Sequence, residues 1–430
     1  MKNIFASLAL IGLLISCKQE KKYIVDSAFV DSLITNYTQP AAIKANEAET
    51  NFWKQRIVPN KPDIVNDARY ASGLSARFSL LGDITDIKKA DSVLLKLAAA
   101  FNQKEASPYL SLVANCIKQH RFKEAEDYLQ KAKSIGIKKY DYTASSFDVN
   151  FELGHYENAF ASLQLIKQPN DYGYFFRKSK WEHYKGNMDS SIKAMLKAAD
   201  LAGSIDVLRQ AAVSNAADLY LHNRDLEKAN DLYIQSIHSN SADYHSLIGL
   251  AWIALVHDKK DTLAEKIFSF VHSKINSPDP LFKLVQVAQV RKDNAAQKKY
   301  AAAFTQIATD TLYGTMYNKY LIELYTGILN EPAKAEAIAK KEIENRATPQ
   351  TYAWYAFALL SNNKKEEAYK IYEQFVSGKP LEGLELYYMG KLMQAFNKGY
   401  NAQQFFEAAA KNKYDLSPAF VDDLEKALKE

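Results

Sequence analysis

The sequence predicts an all-α protein, a solenoid of about ten stacked helix pairs, and three observations carry that expectation. Gly at 15 and Pro at 11 are sparse over 430 residues, so the punctuation that separates many short strands is missing. A small residue followed four positions later by a large apolar one recurs along most of the chain, at Ala90, Ala125, Ala159, Ser191, Ala229, Ala264, Ala296, Ala335, Ala368 and Ala402. Successive anchors fall 32 to 39 residues apart, a period at which each unit is too small to bury its apolar face alone and needs a neighbour on either side.

The chain opens with an address. Lys2 precedes an apolar run from Ile4 to Ile15, too short for a permanent transmembrane helix, which needs roughly twenty residues. The run ends in Leu14-Ile15-Ser16-Cys17, which resembles a bacterial lipobox, although Ile15 stands where Ala or Ser is usual. The resemblance implies cleavage before Cys17, lipidation of that residue and an outer-membrane location, facing either the periplasm or the exterior. Residues 1–16 then read as a signal peptide and 17–46 as the lipidated N-terminus and a tether, with the charged spacer Lys18 to Lys22 just beyond the lipid. Only Cys116 would remain, so no disulfide within the chain could form; its place on an apolar face reads as a small core residue.

Residues 47–67 read as a lead helix and linker, with Phe52 and Trp53 covering the open end of the array and Pro59 and Pro62 stopping the helix. Residues 68–415 form the array. In its clearest copy Ala353, Ala356 and Ala358 alternate with larger residues in the first helix, and Ala368, Tyr372 and Phe375 share one face of the second. Elsewhere Ala90 brings Leu94 and Leu97, Ala125 brings Leu129 and Ala132, and Ala296 brings Tyr300 and Ala303. The Ala admits the first helix of its own unit, and the larger residue fills the gap to the next. Turns precede the anchors at Gly154 to Tyr156, Gly186 to Met188, Asn223 to Leu226 and Asn363 to Lys365, while the turn before Ala90 reads as several residues longer. Pro332 starts one second helix. Pro418 starts the C-terminal capping helix of residues 416–430.

These units resemble the tetratricopeptide repeat (TPR): His155-Tyr156-Glu157-Asn158-Ala159 leading to Leu163, and Arg121-Phe122-Lys123-Glu124-Ala125 leading to Leu129, match its second-helix motif. The resemblance implies a right-handed superhelix whose concave face, lined by first helices, takes a peptide. With the lipobox it points to exported TPR lipoproteins of Gram-negative bacteria. Counting back from the anchors at the family's groove offsets gives Phe176, Arg177, Lys180 and His183 in one unit, and Asn215, Asp218 and His222 in the next. Near the C-terminus it gives Trp354 and Phe357, then Tyr387, Tyr388 and Lys391. The Lys/Asn/Lys/Arg clamp of chaperone-binding members is not reproduced there, so a terminal carboxylate is not the expected ligand.

Function classes narrow accordingly. A net charge of +5, from 55 basic and 50 acidic residues spread along the chain, is a solvated surface and no nucleic-acid footprint. Eight histidines include no His-Glu-x-x-His, and no Gly-x-Ser-x-Gly or phosphate-cradling Gly-rich loop occurs, so neither metal, cofactor nor catalytic residues are expected. The 27 Tyr and 21 Phe are mainly gap-fillers of the core. The expectation is a membrane-anchored scaffold, not an enzyme, that meets the membrane only through its N-terminal lipid and holds an envelope protein or peptide segment. Its alternative is a solute-binding lipoprotein delivering glycans or peptides to an outer-membrane transporter, against which stands the lack of a long insertion between anchors.

Overall fold

A computed structural model describes residues 23–397 and 399–429; the expected signal peptide, Cys17 and the start of the tether lie outside the described residues. The described chain is helical and contains no sheet. Two helices, α1 (Ser27–Thr35) and α2 (Ala41–Lys54), precede the array. The first five pairs are α3 and α4 (Ile64–Leu81, Ile84–Ala100), α5 and α6 (Ser107–Lys118, Phe122–Ile135), α7 and α8 (Lys139–Glu152, Tyr156–Leu165), α9 and α10 (Tyr172–Tyr184, Met188–Leu201), and α11 and α12 (Asp206–His222, Leu226–Ser239). The second five are α13 and α14 (Tyr244–Val256, Asp261–His272), α15 and α16 (Asp279–Val290, Asn294–Ala308), α17 and α18 (Asn318–Thr326, Pro332–Asn345), α19 and α20 (Pro349–Ser361, Lys365–Ile371), and α21 and α22 (Gly383–Ala395, Gly399–Ala410). A last helix, α23 (Pro418–Ala427), starts at Pro418.

The anchors behave as the packing argument requires. Ala90, Ala125, Ala159, Ser191, Ala229, Ala264, Ala335 and Ala368 are wholly buried, and Ala402 nearly so. Tyr233, four after Ala229, lies against Gly249 of the next pair, where a Cβ would come within 2.3 Å of the ring; only glycine allows α12 and α13 to approach so closely. Each pair then turns through one residue of positive φ, among them Gly82, His120, Gly154, Arg224 and Asn363.

The register differs from expectation at three places. Around Ala296 the core face of α16 runs through Gln297, Ala301, Phe304 and Ala308, one residue later than the anchor, because Asp293 caps the helix and sets its phase. After Ala368 the helix loosens into a π turn at Tyr372–Val376, which puts Val376 into the core and leaves Phe375 to stack on Tyr352 at 4.0 Å. The residues expected as a longer turn before Ala90 are helical, since Asp83 caps α4 and starts it at Ile84.

The tether also folds from residue 23 onward. Val25, Val30 and Ile43 are buried in the core of the second half. The backbone N–H groups of Ile24 and Val25 donate to the Asp258 carboxylate at 3.1 and 2.9 Å, and the Tyr37 and Tyr244 hydroxyls bond at 2.8 Å. A buried carboxylate needs such donors, so Asp258 and the N-terminal segment hold each other.

The array winds far enough to touch itself. The turn of the first pair meets the loop after the sixth, where Asn276 N–H donates to the Leu81 carbonyl at 2.7 Å and a Cβ on Gly82 would strike Ser277. The turn of the second meets the seventh and eighth: the His120 carbonyl accepts from Thr315 at 2.9 Å and Asn345 at 2.8 Å. Glu152 of the third faces Arg346 after the eighth at 3.5 Å, His183 of the fourth faces Glu382 after the ninth at 4.0 Å, and His222 of the fifth pairs with Asp415 after the tenth at 2.6 Å. This constant offset describes a superhelix whose successive turns meet along a seam.

Candidate functional site

The inner face is largely committed to contacts within the chain, and the C-terminal segment makes several of them. Residues 412–424 lie across first helices of the second half and α11. Trp252 of α13 donates through Nε1 to the Tyr414 carbonyl at 2.8 Å, and Gln286 of α15 donates to Ser417 Oγ at 2.9 Å. Ser417 in turn donates to Glu323 of α17. Asp423 accepts from Tyr387 at 2.8 Å and Lys391 at 3.0 Å on α21, and Phe420 stacks on the Tyr387 ring at 4.8 Å. Leu416 and Leu424 are buried. The expected cap thus acts as a strap, because its apolar residues find the inner face of α15 and α21.

Most of the sequence-derived groove residues are engaged within the chain. Arg177 grips Asp148 with two bonds, at 3.0 and 2.6 Å, and Lys180 pairs with Glu152 at 2.5 Å. Phe176 stacks on Tyr172 at 5.7 Å, and Asn215 returns a bond to the Ala211 carbonyl of its own helix at 2.7 Å. Asp218 accepts from Tyr233 at 2.6 Å and faces His245 at 2.8 Å, which lifts that imidazole to about 9. Buried Trp354 donates to Glu385 at 2.6 Å, and Phe357 lies flat on Tyr388 at 3.8 Å. Tyr387, Tyr388 and Lys391 lie beside the strap.

Two of the twelve, His183 and His222, share a cleft. It occupies the seam between the turns of the fourth and fifth pairs and the second superhelical turn, with a volume of about 460 Å³. The two rings meet edge to face at 4.9 Å. Burial holds His183 below its usual range; on His222 burial also opposes charge, yet the bond from Asp415 outweighs it and raises the imidazole. Lys185, Arg224 and Lys411 line the rest with Glu382, Gln350 and Asn412. Lys185 and Arg224 sit in turns, outside the groove offsets, and nothing in a local pattern places Lys411 opposite them.

The chain is similar in structure to several proteins of helical repeats. Pseudomonas aeruginosa pilF matches at 13% identity over 50% of this chain and 97% of its own, with a TM-score of 0.37. A tetratricopeptide repeat protein from Parabacteroides merdae matches at 13% over 60% and 99%, with a TM-score of 0.35. Human IFIT1, in a dimer with PPP-AAAA, matches at 12% over 77% of each chain, with a TM-score of 0.48. No family model matches the sequence, and no curated protein matches it significantly. The likeness is one of repeat architecture and carries no argument about ligand or partner.

The stacked helix pairs with their buried anchors make the fold a superhelical solenoid of TPR-like helix pairs. Among the described residues no group of three or more His, Cys, Asp or Glu is placed to hold a metal ion, and no helix is long and apolar enough to cross a membrane. Cys116 is buried, and burial pushes its thiol up to about 12, where it is a poor nucleophile. What the cleft can do is hold anionic groups at its cationic turns.

Proposed function

We propose that this protein is a lipid-anchored TPR scaffold of the cell envelope that holds a partner protein and performs no chemistry of its own. The observation that carries the reading is the uninterrupted run of helix pairs, each wedged between its neighbours, which makes a long rigid surface. The lipobox-like Leu14 to Cys17 supports anchorage through Cys17 to the outer membrane. Because residues 412–424 already cover much of the inner face, the partner meets the turns and the seam as well as the first helices.

Crosslinking in the native envelope, followed by mass spectrometry, tests the scaffold. One or a few envelope proteins should crosslink to residues on the turns and seam; recovery of the chain alone would end the reading. Radiolabelled palmitate should enter the wild type and not Cys17→Ser, and labelling of both would remove the anchor.

A further inference from the structure

Resting on the scaffold reading, we propose that the seam cleft between the fourth and fifth pairs and the C-terminal units is the docking site for an extended acidic segment of the partner, recognised through its carboxylates. Three cations converge on one cleft. Lys185 follows α9, Arg224 lies in the turn after α11, and Lys411 follows α22, so the chain brings them together from three units. All three are exposed, and none makes an ion pair with a described residue, whereas Arg177, Lys180, Arg346 and Lys391 nearby are all paired. Two carboxylates face these three cations from within the site: Asp415 pairs with His222, and Glu382, on the cleft wall, stands 4.0 Å from His183. The cleft is left with excess positive charge and amide groups from Asn223, Gln350 and Asn412 that can bond a peptide backbone.

The chain already shows how this wall takes a carboxylate on a peptide segment. At the edge of the cleft the strap presents Asp415 to His222, while the neighbouring Tyr414 carbonyl accepts from Trp252. A carboxylate and a backbone carbonyl are thus read by adjacent first helices. The cleft continues that interface toward Lys185, into solvent, with cations where the strap has none to answer. Exposed lysine and arginine contribute orientation and association rate more than raw affinity, so the interaction should be salt-sensitive. A second surface of this kind is not required.

The test uses the full chain and a fluorescein-labelled hexaglutamate peptide, with hexaglutamine as its neutral counterpart, in low salt. Hexaglutamate should bind with one-to-one stoichiometry and hexaglutamine should not. Lys185→Glu with Arg224→Glu should weaken binding by about tenfold or more, whereas Lys298→Glu with Lys299→Glu, an equal change of charge on α16, should leave it within about twofold. Arg224→Asn, suited to the left-handed backbone of that turn, keeps the test valid if the double variant melts early; it should still weaken binding by about threefold. Equal losses in the α16 variant would mean non-specific charge attraction and would overturn the site. Tighter binding of tripolyphosphate than of hexaglutamate would overturn the assignment to a peptide. If the native partner is captured undiminished by the Lys185/Arg224 variant, the scaffold stands and this cleft falls; if hexaglutamate binds here but no envelope protein is captured, the cleft stands and the scaffold falls.

Discussion

The first four pairs and the last six are built on the same repeat but hold together differently. Between α3 and α11 most buried apolar residues fall into four small clusters, each confined to one or two neighbouring pairs, such as Val113, Cys116, Phe122, Ala125, Leu129, Val149 and Leu153, while Ile84 and Ile87 of α4 join the large cluster across the seam. From α11 onward one cluster runs without interruption to Leu424 and takes in Val25, Val30 and Ile43 from the N-terminal segment. The difference comes from added layers: α1 packs on the outside of the fifth and sixth pairs, and the strap fills the inside of the later ones. A solenoid whose units touch only their neighbours unfolds piecemeal, whereas one bridged by distant segments gains cooperativity.

Substitutions that open a cavity in the continuous core should separate the two regions most. Phe268→Ala should cost about 3–5 kcal/mol and lower hydrogen-exchange protection from α11 to α23 together. Leu94→Ala should cost about 2–4 kcal/mol, with the loss of protection confined to the first two pairs. Equal spreading of both effects along the whole chain would erase the contrast.

The seam joins the two regions. Arg346, just past α18, stands between Glu152 of the first superhelical turn and Glu342 of α18, and Glu342 is buried. Arg346→Ala should cost about 2–4 kcal/mol, read from denaturant midpoints, because it leaves Glu342 without its cation. Unchanged midpoints would make the seam a contact without energetic weight.

His120, on the same seam, is held by burial down to about 4, so the folded state prefers the neutral ring. A base whose folded value is depressed contributes fully above its ordinary 6.5 and loses that contribution as pH falls toward 4. Stability should therefore decline by about 1–3 kcal/mol across that window, and His120→Gln should flatten this part of the profile. A curve of the same slope in both proteins would assign the acid sensitivity elsewhere. The smallest effect belongs to the exposed pair of Lys266 with Asp31 at 2.7 Å. Lys266→Ala should change stability by less than about 0.5 kcal/mol, and a larger loss by calorimetry would show that α1 is held by charge and not by Val30.

Much of the fold was legible because it is local. A small residue at one position and a large one four later meet the same neighbour in most units, so a single pattern recorded the helix pairs, and the buried anchors report it. It failed where a local competitor acted. At Ala296 the Asp293 cap shifted the helix phase by one residue, and after Ala368 a π turn replaced Tyr372 and Phe375 with Val376 at the core. The candidate site was half legible: His183 and His222 were found from repeat offsets, while Lys185, Arg224 and Lys411 carry no pattern of their own. Of the other groove residues, Arg177 and Lys180 find their partners Asp148 and Glu152 on the preceding first helix, whereas Lys391 finds Asp423 on the strap, a pairing that no repeat offset foretells.

Helix, turn and unit length were written in the chain because they depend on residues within about one repeat of each other. The seam, the folded N-terminal segment and the strap depend on the small rotation from each pair to the next, which accumulates until Ile24 meets Asp258 and His120 meets Thr315. No short-range pattern encodes a sum over five units, so those contacts, and the cleft between them, exist only once the array has wound.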